Sequence, residues 1–333
     1  MTARSILVAS LPTGPRHPLT GTPPRSRGSV RRTTTIDQRR GDMGEPTVVV
    51  AAGRDLLTRD DGTTVVVDEV SLRVAIDATG HIAEIETVPP VPAVASLIGV
   101  HASQGFRRRL DETLASHRTG STVLHQLLDD LPMSALISRY GSAREMDDDW
   151  QIPQNSAEGL ADLCAGWERG ATMLGTLEST GIFPIPVGPP APDLSSAEDP
   201  LAWHDMEPMA PRSVRRRRRL DLTAGEGLSL DVHFRDSHMG LDGAEDVLHE
   251  YTLAATLDPH DLVVLSSEAV AHTLPWPECP RALASAGRIV GEAVADLPRK
   301  VRTEFSGVTT CTHLNDVLRS LAGVVPLAAA LSR

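Results

Sequence analysis

The chain is poor in aromatic residues, in lysine and in cysteine, and each scarcity narrows the reading. Aromatic side chains make up 3% of 333 residues, and the basic residues are arginine except for Lys300, a bias of coding composition that carries no mechanism. Cys164, Cys279 and Cys311 are too few and too scattered for a disulfide framework, so free thiols in a reducing compartment are expected. No run approaches the roughly 18 consecutive apolar residues of a membrane span. The segment SILVASLP from Ser5 to Pro12 is too short and too proline-bounded for a secretory core. The expected location is cytoplasmic, with no membrane partner.

What is present is acidic and apolar in ordinary proportion. The net charge is -12, although residues 1 to 40 hold eight Arg against one Asp. An acidic body repels phosphate backbones, so no nucleic-acid partner is expected, whereas a protein partner is compatible with the composition. A hydrophobic content of 41% over this length suits two cores.

Internal repetition organises the chain. SVRR at Ser29 to Arg32 recurs at Ser213 to Arg216, and Ile36-Asp37 recurs as Leu220-Asp221, both at an offset of 184. Arg54-Asp55 matches Arg235-Asp236, Asp61-Gly62 matches Asp242-Gly243, and Leu72, Ile76 and Asp77 match Leu253, Leu257 and Asp258, all at an offset of 181. In both copies apolar residues alternate as in half-buried strands, and after a third strand (His81 to Glu86, Asp261 to Ser267) the spacing turns helical. Helices are expected near Pro280 to Ala286, Pro298 to Phe305 and Thr312 to Ala322.

The expected class is therefore α+β: two copies of a three-stranded antiparallel sheet followed by helices, joined by a helical and Pro-rich linker. Residues 1–28 read as a disordered basic tail, 29–140 as a degenerate first copy, 141–210 as the linker and 211–333 as the second copy. Ala157 to Leu177 reads as helix or turn-helix, and Phe183 to Pro200 as an extended Pro-rich stretch.

Chemistry-bearing residues distinguish the second copy. Leu97-Ile98-Gly99 matches Ile289-Val290-Gly291, which leaves the second copy about a dozen extra residues just before this point, and they contain Cys279. In LPWPECP this cysteine stands at a helix entrance, where the dipole favours a thiolate. In GVTTCTHL, Cys311 and His313 open an amphipathic helix that Thr310 or Thr312 can cap, again a setting for a low-pKa thiol. The first copy offers GSTVLHQLL, with His125 and no cysteine.

Through VLHEYTLAATLD, the proline-flanked Cys279, Gly291 and the terminal G-x-x-x-C-T-H-L, the second copy resembles the bacterial family called domain of unknown function 2889. SVRRTTTID and RDLLTRDDG in the first copy resemble an actinobacterial long form of it. That resemblance implies no particular activity. The C-terminal half is also similar, more faintly, to U-type iron-sulfur scaffold proteins, which imply strands, a cysteine after the third strand, helices and a closing His-Cys pair. Here the order is Cys311-Thr312-His313, and His249 lies near the place of the scaffold's first cysteine.

Three functions follow. Cys279, Cys311, His313 and His249 could form one metal site, holding zinc or an iron-sulfur cluster in a metal- or sulfur-handling accessory protein. The cysteines could instead be buried hydrophobes of a non-catalytic binding or assembly module. Cys311 or Cys279 could serve as the nucleophile of a thiol-dependent acyl or thioester enzyme with His313 as base. Cys164 reads as a buried helix cysteine. Asp55, Asp77, Asp236 and Asp258, present in both copies, read as structural; Arg54 and Arg235 read as strand-end charges or partners of the adjacent Asp. The run Arg215 to Arg219 reads as a solvated basic edge or a clamp on the acidic body.

Overall fold

The protein is described here by a computed structural model covering residues 3–39, 45–132, 158–225 and 227–332. The expected boundary at residues 140/141 and the first residue of the helix expected from Ala157 lie outside the described residues.

Each half contributes a four-stranded antiparallel meander. The first half runs β1 (Ser29–Arg39), β2 (Thr47–Thr58), β3 (Thr64–Ile76) and β4 (Ile82–Val88); the second runs β5 (Ser213–Ala224), β6 (Leu228–Met239), β7 (Glu245–Leu257) and β8 (Val264–Thr273). The two separate three-stranded sheets expected from the sequence do not form. One eight-stranded sheet does, in the order β4-β3-β2-β1-β5-β6-β7-β8. The SVRR segments open strands rather than flank them, and the strands that carry them, β1 and β5, pair with each other on the side each meander leaves open. A free strand edge is a row of unpaired N–H and C=O groups, so pairing β1 with β5 removes two such edges together.

The register fixes a local symmetry. Thr34 faces Arg218, and these are the positions that correspond between the halves, so a twofold axis passes between them. On either side, Arg31 forks onto Asp221 and Arg215 forks onto Asp37, two copies of one cross-strand pair. Because strand side chains alternate in direction, the arginine run divides between two faces. Arg215 and Arg219 find carboxylates on one face and Arg216 and Arg218 on the other. Of the two readings of this run, the solvated edge is overturned: Arg215, Arg216, Arg218 and Arg219 are all buried in the middle of the sheet. Buried guanidinium groups require partners, and here the partners are intramolecular.

Helices cover one face. After β4 the first half has a 3-10 segment (Pro92–Leu97), α2 (Phe106–Thr113), α3 (Ala115–Thr119) and α4 over residues 123–132, following α1 (Ala3–Ser10) at the start of the chain. After α5 (Thr172–Thr180) and β8, the second half has a 3-10 segment (Cys279–Ile289), α6 (Leu297–Glu304), α7 (Thr312–Ser320) and α8 (Val324–Leu331). The halves agree in detail: Gly99 and Gly291 both adopt positive φ, and their N–H groups donate to Ile82 and Val264, at the start of the last strand of each meander. The helical run Thr312–Leu331 is long and apolar enough by mean hydropathy to cross a membrane, although Asn315, Asp316 and Arg319 interrupt its apolar residues, and it is mostly buried as the core of the second half.

One expectation for the connecting segments fails. From residue 3 onward the predicted disordered tail is ordered chain, whose extended part lies along the edge of β8. Leu274 N–H donates to Pro15 O at 3.0 Å, and His17 N–H to His272 O at 2.8 Å. Glycine is required at position 14, where a Cβ would stand 2.6 Å from the Leu274 carbonyl oxygen. The segment has little apolar surface of its own, but its backbone and arginines find partners in other parts of the chain. Arg25, for example, forks onto Asp199. The Pro-rich stretch is packed as well: Val247 N–H donates to Pro189 O at 2.9 Å, and Arg235 Nη1 to Pro192 O at 2.8 Å.

Residues 199–207 cover the face of the central strands opposite the helices. Carbonyl oxygens of Leu201 and Trp203 accept from Arg54, and that of Glu207 accepts from Arg215. His204 fits between Thr33 and Thr35, each hydroxyl 2.8 Å from one ring nitrogen. Burial, with Arg54 and Arg215 nearby, pushes its pKa down to about 3.

Candidate functional site

The site lies on the helix-covered face of β6 and β7. Asp236 and His249 are directly opposed across these strands, just before a bulge that shifts the register between Asp236 and Ser237. Cross-strand partners on one face stand close enough to act together, and bulges re-aim side chains. Cys311 is the N-cap of α7, a position expected for Thr310 or Thr312, and it gives α7 no side-chain cap. His313 therefore sits in the first turn of α7. Its ring stacks on His249 with centroids 3.6 Å apart and planes 16° from parallel.

Ligand atoms of Asp236, His249 and His313 lie within 4.8 Å of one another. His313 Nε2 is 3.7 Å from Asp236 Oδ2, too long for a hydrogen bond, and has no hydrogen-bond partner among the described residues; neither does His249 Nδ1. Asp236 meanwhile accepts a fork from Arg216, with Nε to Oδ1 at 2.8 Å and Nη2 to Oδ2 at 2.9 Å. Arg216 also reaches Asp316 at 2.7 Å and Asp130 at 3.2 Å.

Both imidazoles are held neutral. Burial and the neighbouring Arg216 push His313 down to about 3. Burial and the adjacent His313 push His249 well below its ordinary value. A neutral imidazole offers a lone pair, which is the form that ligates a metal.

The four residues expected to form one site divide. His249 and His313 come together. Cys311 is adjacent, with its Sγ 3.8 Å from His313 Nδ1 and accepting a hydrogen bond from Tyr251 Oη at 3.2 Å. Cys279 opens the 3-10 segment after β8 and packs against the linker, where a Cβ on Gly166 would stand 3.0 Å from its Sγ. The anticipated low-pKa thiols are absent. Burial pushes Cys279 and Cys311 up, and Cys164 up to about 12, which outweighs the favourable helix ends. Cys164 is buried as expected, but it stands in extended chain before a 3-10 turn instead of within a helix.

Asp236 was missed because it recurs as Asp55 and therefore looked purely structural. Its first-half counterpart does pair with the corresponding arginine, Arg32, with both bonds at 2.7 Å. The difference lies across the strand: Asp55 faces Asp68, which accepts from the Val123 N–H at 3.1 Å, whereas Asp236 faces His249. Neither Arg54 nor Arg235 is a strand-end charge paired with its neighbouring Asp. Both are buried within strands, and Arg235 pairs with Glu250. Asp77 and Asp258 do organise turns, by accepting the N–H groups of Thr79 and His260.

No curated protein and no solved structure matches this chain. A family match covers the segment that builds the site: residues 214–326, from β5 into α8, match the family described as Protein of unknown function (DUF2889).

Proposed function

We propose that the second half is a transition-metal-binding module in which His249, His313 and Asp236 supply two nitrogens and an oxygen, and that the protein serves as a metal-handling accessory. The carrying observation is the pair of buried ring nitrogens, His249 Nδ1 and His313 Nε2, that lack partners beside a carboxylate. Leaving a buried polar atom unsatisfied costs about 1–3 kcal/mol, and one ion would satisfy both. Imidazole suits zinc, nickel, copper and iron. Since the rings are stacked, ion entry requires one to turn out of the stack so that both lone pairs converge.

In this reading the two halves derive from one module, and the first has lost the site. At the positions of His249, Tyr251, Cys311 and His313 it carries Asp68, Val70, Thr122 and Leu124. The buried, protonated thiols favour Cys311 as a neighbour of the site over Cys311 as a nucleophile.

Titration of the metal-stripped protein with cobalt(II) or zinc tests the proposal. One equivalent should bind per chain, with ligand-field absorption for cobalt, and His249→Ala or His313→Ala should abolish it while Cys279→Ser leaves it unchanged. Absence of stoichiometric binding, or retention of binding in both histidine variants, would overturn it.

A further inference from the structure

A second site lies where the two halves meet, and it does not depend on the metal reading. A cavity of about 400 Å³ opens between α4 of the first half and α6 and α7 of the second, a volume typical of small-molecule sites. Its lining includes arginines already committed to carboxylates: Arg218 to Asp130, Arg319 to Asp129 and Asp316, and Arg302 to Asp111. Arg32 is likewise committed, to Asp55, whereas the last two arginines of the lining are not. Arg118 makes no ion pair among the described residues, and Arg299 makes only an exposed 3.6 Å contact with Asp296.

A buried donor adds to this surplus. Arg218 Nε is enclosed and has no acceptor among the described residues, although its terminal nitrogens are both engaged. Among the described residues no Phe, Tyr or Trp lines the cavity, so they offer no surface on which a nucleobase could stack. Guanidinium forks match the planar or tetrahedral oxygens of carboxylate and phosphate.

We infer that this cavity binds a small polyanion bearing phosphate or carboxylate groups, held by Arg118 from the first half and Arg299 from the second. A ligand gripped from both sides would tie the halves together, and neither half alone would supply the site.

Calorimetry and thermal melting with pyrophosphate and with citrate, at low ionic strength, test the assignment. Saturable binding of either anion with a raised melting temperature is expected, and the pair of anions shows whether phosphate or carboxylate is preferred. The double variant Arg118→Glu/Arg299→Glu should bind roughly ten-fold more weakly or worse. Both positions are exposed, so its anion-free melting should match the parent. No saturable binding of either anion at millimolar concentration, or equal binding by the double variant, would overturn the inference.

Discussion

Replacing Arg216 with methionine keeps an unbranched side chain of similar length in the sheet while removing the charge that three carboxylates share. Arg216 makes four charge-assisted hydrogen bonds, two to Asp236 and one each to Asp316 and Asp130, and it is 2% exposed. Breaking a buried pair by removing one partner costs about 3–5 kcal/mol, because the other charge is left uncompensated. That range applies at neutral pH, and the dependence on pH is the stronger test. In the parent, burial works against ionisation of Asp316, but Arg319 and Arg216 prevail and hold its carboxyl below the usual range. A carboxyl depressed in this way contributes stability that is present above its unfolded pKa of about 3.9 and is lost only as pH falls through the lower folded value. Without Arg216, Arg319 still holds the Asp316 carboxyl down but less far, so the stability it contributes above the unfolded pKa shrinks. Urea denaturation of both proteins should therefore give a difference that is level above about pH 4 and narrows as pH falls below it. A difference below about 1 kcal/mol at neutral pH, the scale of an exposed pair, or one independent of pH, would refute the reasoning.

Other outcomes follow from the same geometry. His204 and His313, both pushed down to about 3, stay neutral in the fold, so the stability they confer is present above the unfolded value of about 6.5 and is lost as pH falls toward 3. His204→Gln should flatten the acid limb of a denaturation-midpoint profile, and an unchanged limb would show that His204 is not the titrating group. Cys164, Cys279 and Cys311 should resist a thiol reagent near neutral pH until denaturant is added, and rapid reaction of any of them in the folded protein would contradict their burial. Gly188→Ala should lower the melting temperature markedly, since the added Cβ would fall 1.8 Å from the Val247 carbonyl oxygen; an unchanged melting curve would mean that the Pro-rich stretch is not held against β7.

Much of the fold could be read from spacing. The repeated SVRR, Arg-Asp and Asp-Gly pairs fall at equivalent places in β1 and β5, in β2 and β6, and in the turns after β2 and β6. What spacing could not supply was the partner of each SVRR strand, because pairing across 184 residues leaves no local pattern. The arginine run misled for a related reason: five consecutive charges suggest solvent until the pleat distributes them to two faces, each lined with carboxylates from elsewhere in the chain. His313 was legible as a difference between the halves, and His249 through the place it shares with the first cysteine of iron-sulfur scaffolds. Asp236 was hidden by its resemblance to Asp55, and Cys279 was overrated because a helix entrance says nothing of how deeply it is buried.

The central β1–β5 pairing has a consequence for synthesis. β1 leaves the ribosome long before β5 exists, and until then its outer edge, with Arg31 and Asp37, has no partner. The cross-strand pairs that β5 later supplies are ones that a second copy of β1 could imitate, with Arg31 of each chain meeting Asp37 of the other around Thr34. A nascent or truncated first half is therefore exposed to self-association through this edge, and prompt arrival of the second half on the same chain protects it. The tether between the halves acts as an intramolecular chaperone.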